Sequence, residues 1–198
     1  MKKMNDKLIF MILLFLCIVS GCNSPNDSNI DTEEFYPMKI GNHWEYMAVN
    51  TSRTEEIFDT LRIDGKLFYG FTNESKQSEY WMRETNNMIY YLNLTDSTEF
   101  LLYDFTASIG DSWELPSGYE CSYGRGVTLI SKTDTIDAPN GRYYNCYHFI
   151  YKKVCRDAGM EDAWFVRGVG KVKYRFETFH GTQEYVIKNY NFLTSELR

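Results

Sequence analysis

The stretch Ile40-Gly-Asn-His-Trp-Glu45 recurs 69 residues later as Ile109-Gly-Asp-Ser-Trp-Glu114. Three further short matches follow in the same order along the chain. They pair Asp59–Leu61 with Asp134–Ile136, Gly65–Tyr69 with Gly141–Asn145, and Trp81–Arg83 with Trp164–Arg167. Four matches in one order are typical of an internal duplication, although common turn residues could also produce them by chance. We therefore predict two related units, residues 35–104 and 105–193.

Both units consist of short alternating or aromatic runs separated by turn residues. The turn pairs are Asp64-Gly65, Asn86-Asn87, Asn140-Gly141 and His180-Gly181, and such pairs supply the positive φ that tight hairpins need. The pattern predicts an all-β fold, an antiparallel meander that forms a sandwich or an open barrel with about six strands in each half. Units of this size cannot bury a sheet face alone, so the halves should share a core. One short helical turn is expected, at Arg156–Ala163.

The chain begins with a basic segment that leads into an apolar run. Lys2, Lys3 and Lys7 precede twelve apolar residues, Leu8 to Val19. At a helical rise of about 1.5 Å per residue this run reaches about 18 Å, well short of the roughly 30 Å hydrocarbon core of a bilayer. The pattern is typical of a secretory signal peptide rather than of a membrane-spanning helix.

The end of this run, Val19-Ser-Gly-Cys22, resembles the bacterial lipobox. The resemblance implies that a signal peptide, residues 1–21, is removed and that acyl chains such as palmitate are attached to Cys22. Several acyl chains hold a protein on a membrane far more durably than one. The alternative is an uncleaved apolar helix with a chance Gly-Cys. The expected location is the cell envelope, at the outer membrane or the cell surface, with the side left open.

The segment after the lipidation site differs in composition from the rest of the chain. Residues 22–34 are polar and acidic, so they predict a flexible tether, and 35–198 remain as one β domain. Residues 1–21 contain three lysines and one aspartate, so their loss changes the formal net charge from −6 to −8. An acidic chain lacks the basic face that nucleic acid requires, and no nucleic-acid partner is expected.

The chain is rich in aromatic residues, which make up 17% of it and include sixteen tyrosines. Such rings suit the pleated surface of a sheet, and they also suit stacking against a carbohydrate. Three cysteines follow Cys22, and the exported compartment permits disulfides. Cys146 lies inside a long strand pattern, whereas Cys121 and Cys155 lie nearer turns. We predict a Cys121–Cys155 bridge with Cys146 as a buried apolar residue, while other pairings remain open.

The opening of the domain, Phe35-Tyr-Pro-Met-Lys-Ile-Gly-Asn-His-Trp-Glu-Tyr46, resembles that of many secreted or lipid-anchored bacterial β-rich proteins. Their shared pattern is aromatic-Pro-Leu-x-x-Gly-Asn-x-Trp-x-Tyr, and segments 102–113 and 167–172 are similar to later parts of the same group. Met38 stands where the group has Leu, and Arg167 stands where Pro is common. The resemblance implies this architecture and address, but no activity.

Motifs for known chemistry are missing from the sequence. It contains no His-Glu-x-x-His, Cys-x-x-Cys, Gly-x-Ser-x-Gly or phosphate-binding loop, so no catalytic residue, metal ligand or cofactor is predicted. Cys146 and His148 can be neighbours on one strand face, and Glu45 and Glu114 hold matching repeat positions. Strand packing for the first pair and an outward orientation for the second are the simpler interpretations.

Two tryptophan–arginine pairs are the candidate binding residues. Trp81 and Arg83 lie two apart on one strand face, and Trp164 and Arg167 hold the matching positions of the second unit. A guanidinium can stack on an indole, so four such side chains on facing halves could line a cleft for an anionic or sugar-like ligand. A purely structural cation–π role is the simpler interpretation.

These observations favour a non-catalytic module that binds a small molecule, a glycan or an envelope protein and contacts the membrane through acyl chains on Cys22. The alternative is a lipid or lipoprotein carrier with an open half-barrel, which needs a continuous apolar concave face. An envelope hydrolase that acts through carboxylates or through Cys146 and His148 is the third hypothesis.

The first prediction concerns lipidation. Cys22→Ser removes the thiol that accepts the lipid, so the protein should lose incorporation of an alkyne-tagged fatty acid and leave the membrane fraction. Cys17→Ser, inside the apolar run, is the matched control and should keep both properties. Retention of the label by the Cys22→Ser protein would show that this cysteine is not the acceptor.

Overall fold

The domain is built on one antiparallel sheet of twelve strands in the computed structural model. The structure describes residues 34–72 and 78–193. The predicted signal peptide, Cys22 and the predicted tether up to residue 33 lie outside the described residues. Within the described ranges, no helix is both long enough and apolar enough to cross a membrane.

Each predicted unit supplies six strands. Those of the first unit are β1 (His43–Ala48), β2 (Thr51–Ile63), β3 (Lys66–Thr72), β4 (Ser78–Thr85), β5 (Met88–Asn93) and β6 (Thr98–Asp104). Those of the second unit are β7 (Ser112–Glu114), β8 (Gly126–Ala138), β9 (Gly141–Tyr151), β10 (Gly159–Val166), β11 (Gly170–Thr178) and β12 (Gly181–Asn191). A four-residue helix, α1 (Glu120–Tyr123), lies between β7 and β8.

The strand order is β6-β5-β4-β3-β2-β1-β12-β11-β10-β9-β8-β7. The first and last strands pair at the centre of the sheet, where Trp44 lies opposite Tyr190. The two units therefore continue one sheet, and β6 and β7 are its edges. This arrangement confirms the predicted all-β antiparallel meander and shows that the sheet is not closed.

Each predicted turn pair lies at the junction of two paired strands. At the β2–β3 hairpin the φ angles of Asp64 and Gly65 are 50° and 78°, and at the β4–β5 hairpin those of Asn86 and Asn87 are 52° and 59°. Positive φ at both turn residues matches the right-handed twist of the flanking strands. Local turn chemistry therefore sets these hairpins.

The predicted helical turn at Arg156–Ala163 is wrong. Strand β10 begins at Gly159, and it buries Met160 and Phe165 while it pairs with β9 and β11. Pairing on both sides satisfies its backbone groups, so tertiary contacts override the local pattern. The short helix lies instead at α1, where the sequence offered no amphipathic stripe.

The start of each unit contains the same hydrogen-bonded turn. The Gly41 N–H donates to the carbonyl of Ile57 at 2.7 Å, and the Gly110 N–H donates to that of Leu129 at 2.8 Å. The Ile57 N–H donates in return to the carbonyl of Asn42 at 2.9 Å, and the Leu129 N–H donates to that of Asp111 at 3.1 Å. These equivalent bonds support the predicted duplication, which itself stays a prediction.

The sheet curves so that its two ends face each other across an aromatic core. The ring of Tyr103, on β6, lies 4.5 Å from that of Phe165 on β10 and 5.1 Å from that of Phe149 on β9. In the strand order these contacts connect one end of the sheet with the other. The concave face therefore packs partly against itself.

Two rings that precede β1 fill the space between the ends of the sheet. Phe35 and Tyr36 are 0% and 1% exposed. Phe35 stacks on Phe105 with ring centroids 3.7 Å apart, and Tyr36 contacts Phe71 in the first unit and Phe165 in the second. The residues that follow the predicted tether are thus part of the core that joins both halves.

A carboxylate on β4 fixes this segment through its backbone. The N–H groups of Phe35 and Tyr36 donate to the two oxygens of Glu84, both at 2.7 Å. Burial raises the pKa of Glu84 to about 7, with a smaller contribution from Glu34, although the two backbone hydrogen bonds act in the opposite direction. The segment is therefore held by a carboxylate that is costly to ionise.

The second prediction follows from this raised pKa. Between the ordinary value of 4.5 and about 7, the folded protein holds a proton on Glu84 that the unfolded chain has released. The free energy of unfolding should therefore fall as the pH rises from 4.5 to 7.5, by about 3 kcal/mol at most. In Glu84→Gln this part of the decline should be absent.

Chemical denaturation at a series of pH values measures the effect. Glu114→Gln, which replaces an exposed carboxylate on β7, is the control and should keep the wild-type decline. An identical pH dependence in the Glu84→Gln and Glu114→Gln proteins would contradict the assignment.

Candidate functional site

The concave face of the sheet leaves a cleft of about 320 Å³ beside the packed core. Its wall is formed mainly by aromatic and charged side chains from both units and from α1. The residues that line it are Tyr36, Arg53, Glu55, Tyr80, Met82, Tyr91, Leu102, Tyr103, Tyr119, Ser122, Tyr123, Met160, Phe165, Lys171, Tyr174 and Phe176. Ser122 is exposed, which places the opening of the cleft beside α1.

Seven tyrosines dominate this tyrosine cleft. The ring of Tyr91 lies 5.4 Å from that of Tyr119 and 5.7 Å from that of Tyr123, so strand β5 and helix α1 meet through their rings. Burial raises the pKa of Tyr91 to about 12 and raises those of Tyr80 and Tyr123 well above the ordinary value. These phenols are therefore neutral hydrogen-bond donors at physiological pH.

A buried ion pair forms the polar part of the tyrosine cleft. Glu55, on β2, is 3% exposed, and its carboxylate lies 2.9 Å from the Lys171 ammonium of β11. The Tyr36 hydroxyl donates to the same carboxylate at 3.3 Å. Burial alone would raise the pKa of Glu55, but the positive charges of Lys171 and Arg53 outweigh it and lower the pKa. Glu55 is therefore ionised, and it connects the two units across the sheet.

The loop around α1 forms the roof of the cleft. A disulfide joins Cys121 of α1 to Cys155 of the β9–β10 loop, with Cα atoms 5.1 Å apart. Gly124 follows the helix with φ of 73°, and a Cβ there would lie 2.4 Å from the carbonyl oxygen of Lys152. Only glycine allows the roof to approach the neighbouring loop this closely.

The structure does not bring the four predicted binding residues together. Trp81 and Arg83 alternate with the cleft residues Tyr80 and Met82, so they lie on the opposite, convex face of β4. Trp164 precedes Phe165 of the cleft and is likewise on the convex face. Strands β4 and β10 are separated by five strands, which is roughly 29 Å along the sheet at about 4.8 Å per spacing. The predicted shared cleft of these side chains is not formed.

The two predicted arginines also pair with other groups. Arg83 lies 4.3 Å from the ring centroid of Tyr90 and forms an ion pair with Glu99 at 2.7 Å. Arg167 lies 4.1 Å from the ring centroid of Phe35 and donates to the Asn87 side chain at 2.9 Å. In place of Arg167, Lys173 lies over the Trp164 ring, at 4.9 Å. The cation–π contacts exist, but with different partners from those predicted.

A network of charged side chains surrounds Trp164 on the convex face. Its indole N–H donates to Asp134 at 2.9 Å, and its ring stacks on His148 at 4.0 Å. The two ring nitrogens of His148 lie 3.1 Å from Asp134 and 2.7 Å from Asp162. Burial opposes ionisation of Asp162, yet hydrogen bonds from His148 and Arg175 lower its pKa. The polar groups of this network bind one another, and the network stabilises the outer surface of the second unit.

The remaining pairs considered for catalysis do not assemble into a site. Both nitrogens of His148 face carboxylates, and the Cys146 thiol donates to the carbonyl of Tyr143 at 3.5 Å. Glu45 pairs with Lys188 at 3.3 Å, while Glu114 is exposed on the far edge strand. Across residues 34–72 and 78–193, no group of three His, Cys, Asp or Glu side chains is arranged to hold a metal ion.

The sequence interpretation missed Arg53, Glu55 and Lys171. The sequence contained a signal for the first two. Positions 53 and 55 lie four and two residues before the buried Ile57, so in a strand all three side chains point to the same face. This alternation places both charges on the core face of β2. No local pattern could show that Lys171, 116 residues away, would pair with Glu55.

The comparisons in sequence and in structure give different results. No protein-family profile matches the chain, and no curated protein is detectably similar to it in sequence. In structure it is similar to a candidate exported protein of Bacteroides fragilis with a YmcC-like fold, at 11% identity and a TM-score of 0.44 over 80% of this chain and 99% of that one. It is also similar to a candidate lipoprotein of Parabacteroides distasonis, at 13% identity and a TM-score of 0.39 over 79% and 98%.

The third prediction concerns the buried thiol. Cys146 is 0% exposed, and burial raises its pKa to about 12, so the reactive thiolate is scarce at neutral pH. Alkylation of Cys146 by iodoacetamide at pH 7.5 should be at least about 100-fold slower in the folded protein than in the chain unfolded by guanidinium. Mass spectrometry of the peptide that contains Cys146 follows the rate. Fast labelling of the folded protein would restore the thiol as a candidate nucleophile.

Proposed function

We propose that this chain is a lipid-anchored protein of the bacterial cell envelope whose β domain binds a small polar ligand in the tyrosine cleft. The proposed location rests on the predicted signal peptide and on the resemblance of residues 19–22 to a lipobox. The binding role rests on the cleft itself. Its volume of about 320 Å³ is at the lower end of the range of about 300–1,000 Å³ that small-molecule sites occupy, so it suits a ligand of one or two rings.

The composition of the cleft supports a polar ligand over a lipid. A carrier for acyl chains needs a continuous apolar concave face, and here Arg53, Glu55 and Lys171 interrupt that face. An acyl chain pressed against these groups would remove water from them without offering a hydrogen bond. A ring with hydroxyl groups offers both an apolar face for the tyrosines and polar atoms for the charges.

The residue at which the described chain begins and the opening of the cleft lie at opposite ends of β10. The backbone carbonyl of Glu34, the last residue of the predicted tether, accepts a hydrogen bond from the Gly168 N–H, which lies just beyond one end of β10. The roof lies at the other end of β10, where Gly159 packs against the Cys121 carbonyl. Eight residues at about 3.3 Å each separate these ends by about 26 Å. The backbone that leads to the proposed anchor therefore leaves the opening of the cleft accessible to a ligand.

The fourth prediction tests the site directly. The full lipidated chain in detergent is screened against a glycan array and a fragment library, and any binder is titrated by NMR. Tyr119→Ala removes a ring at the opening and should weaken binding about tenfold, because one aromatic contact contributes about 1.4 kcal/mol. Tyr144→Ala replaces a tyrosine that is 61% exposed outside the cleft, and it should bind like the wild type.

Two outcomes would contradict the proposal. One is that no component of either library binds. The other is that binding survives Tyr119→Ala and is lost instead in Trp81→Ala or Trp164→Ala, which would place the site on the convex face.

A further inference from the structure

Three phenol hydroxyls that line the tyrosine cleft are open hydrogen-bond donors. They belong to Tyr91 on β5 and to Tyr119 and Tyr123 of the roof, and none of them forms a hydrogen bond with another residue of 34–72 or 78–193. The two roof rings lie 5.4 and 5.7 Å from that of Tyr91. Because burial raises the pKa of each phenol, all three keep their protons at neutral pH and can donate to a ligand.

The ammonium of Lys171 offers further donors in the same cleft. An ammonium carries three N–H groups, and the hydrogen bond to Glu55, at 2.9 Å, uses one of them. Its other contacts within the described part of the chain are with aromatic rings, whose centroids lie 4.6 Å away for Tyr174 and 5.6 Å away for Tyr46. Rings attract a cation but are weak hydrogen-bond acceptors, so Lys171 can also donate to a ligand.

Acceptors are scarcer than donors along this wall. Among the described lining residues only Glu55 carries a carboxylate, and it already accepts from Lys171 and from the Tyr36 hydroxyl. The same carboxylate matches the charge of Lys171, so a neutral oxygen is a sufficient partner for the remaining N–H groups. Arg53 also lines the cleft, but it already has an interaction partner and is not counted as an open donor. The wall therefore suits a ligand that brings more acceptors than donors.

Apolar side chains lie beside these donors. Met82, Leu102 and Met160 line the same cleft, and all three are buried. An acetamido group matches this mixture, because its carbonyl oxygen accepts hydrogen bonds while its methyl group packs against apolar atoms. A hydroxyl group in the same place has no methyl group to bury, and an ammonium group would set donor against donor. A pyranose ring supplies further oxygen acceptors for the phenols and a C–H face for their rings.

We infer that the tyrosine cleft binds an N-acetylated sugar, a neutral pyranose whose acetamido carbonyl accepts from Lys171 and whose hydroxyl oxygens accept from the open phenols. This inference rests on the proposed function, since it names the ligand class of the same cleft. It predicts discrimination between sugars that differ only in the group on one ring carbon.

The experiment compares matched disaccharides on the full lipidated chain in detergent, by isothermal titration calorimetry. Diacetylchitobiose, cellobiose and the deacetylated chitosan dimer share one linkage and differ in an acetamido, a hydroxyl or an ammonium group on each ring. The acetamido dimer should bind at least about tenfold more tightly than the hydroxyl dimer, and the ammonium dimer should bind most weakly. Because the favoured ligand is neutral, its affinity should change by less than about twofold between about 0.05 M and about 0.5 M sodium chloride.

Removal of single hydroxyls tests the phenols. Tyr123→Phe and Tyr91→Phe keep the rings and remove one donor each, so each should weaken binding of the acetamido dimer by about threefold to tenfold. Tyr144→Phe removes the hydroxyl of a tyrosine that is 61% exposed outside the cleft, and it should bind like the wild type. Wild-type affinity in both Tyr123→Phe and Tyr91→Phe would overturn the role of the phenols.

A double substitution tests Lys171 without leaving a buried charge unpaired. Glu55→Gln combined with Lys171→Met removes both members of the ion pair, and the preference for the acetamido dimer over the hydroxyl dimer should fall to within about threefold. Circular dichroism checks the fold of this variant, and the disaccharide series on the wild-type protein tests the inference where the variant does not fold. A preference that persists in the folded double variant would overturn the role of Lys171.

The outcomes separate this inference from the proposed function. Equal or tighter binding of the hydroxyl or ammonium dimer, weakened by Tyr119→Ala, would overturn the acetamido class while supporting the cleft as a binding site. Binding of none of these sugars, with fragments bound in the cleft, would overturn the sugar class altogether. Binding of neither sugars nor fragments would instead contradict the proposed function itself.

Discussion

The insertion of Phe35 and Tyr36 between the two ends of a single sheet is the constraint on which the rest of the structure depends. An open, curved sheet of twelve strands has a concave face that its own strands do not fill, and these two rings join its halves. The chain that carries them crosses the interior outside any strand ladder, so its N–H groups need another acceptor. Glu84 provides it, at the cost of a buried carboxylate. The two backbone hydrogen bonds favour the ionised form of Glu84, whereas the burial of its carboxyl group disfavours it.

The same insertion explains why the tyrosine cleft is polar. Tyr36 belongs to the core on one side and to the cleft wall on the other, and its hydroxyl reaches Glu55. An ionised carboxylate at this depth is tolerated because Lys171 lies against it, and removing either partner would leave an uncompensated buried charge. Glu55 and Lys171 come from different units, so the ion pair that gives the cleft its chemistry also ties the halves together. The binding that we propose and the fold therefore depend on the same side chains.

The sequence was sufficient for features that depend on neighbouring residues and insufficient for those that depend on facing strands. Asp64-Gly65 and Asn86-Asn87 set their hairpins through backbone conformation alone, and the all-β meander followed from them. Alternation along β4 defines two faces of the strand but does not show which of them lines the cleft. The large ring of Trp81 suggested its own face, whereas the cleft is lined from the face of Tyr80 and Met82. The register of a strand is fixed by its partners, so the inward position of Tyr80 became visible only with the sheet assembled.

The cleft arises where the two units differ rather than where they match. In the first unit, β1 and β2 are joined by the two residues 49–50, whereas in the second, β7 and β8 are joined by residues 115–125. This longer connection contains α1, the rings of Tyr119 and Tyr123, and Cys121, whose disulfide holds the roof against the β9–β10 loop. A duplication alone would produce a sheet with two equivalent ends and an open hollow between them. The extra segment covers that hollow from one side, so the binding surface we propose depends on the asymmetry and not on the repeat.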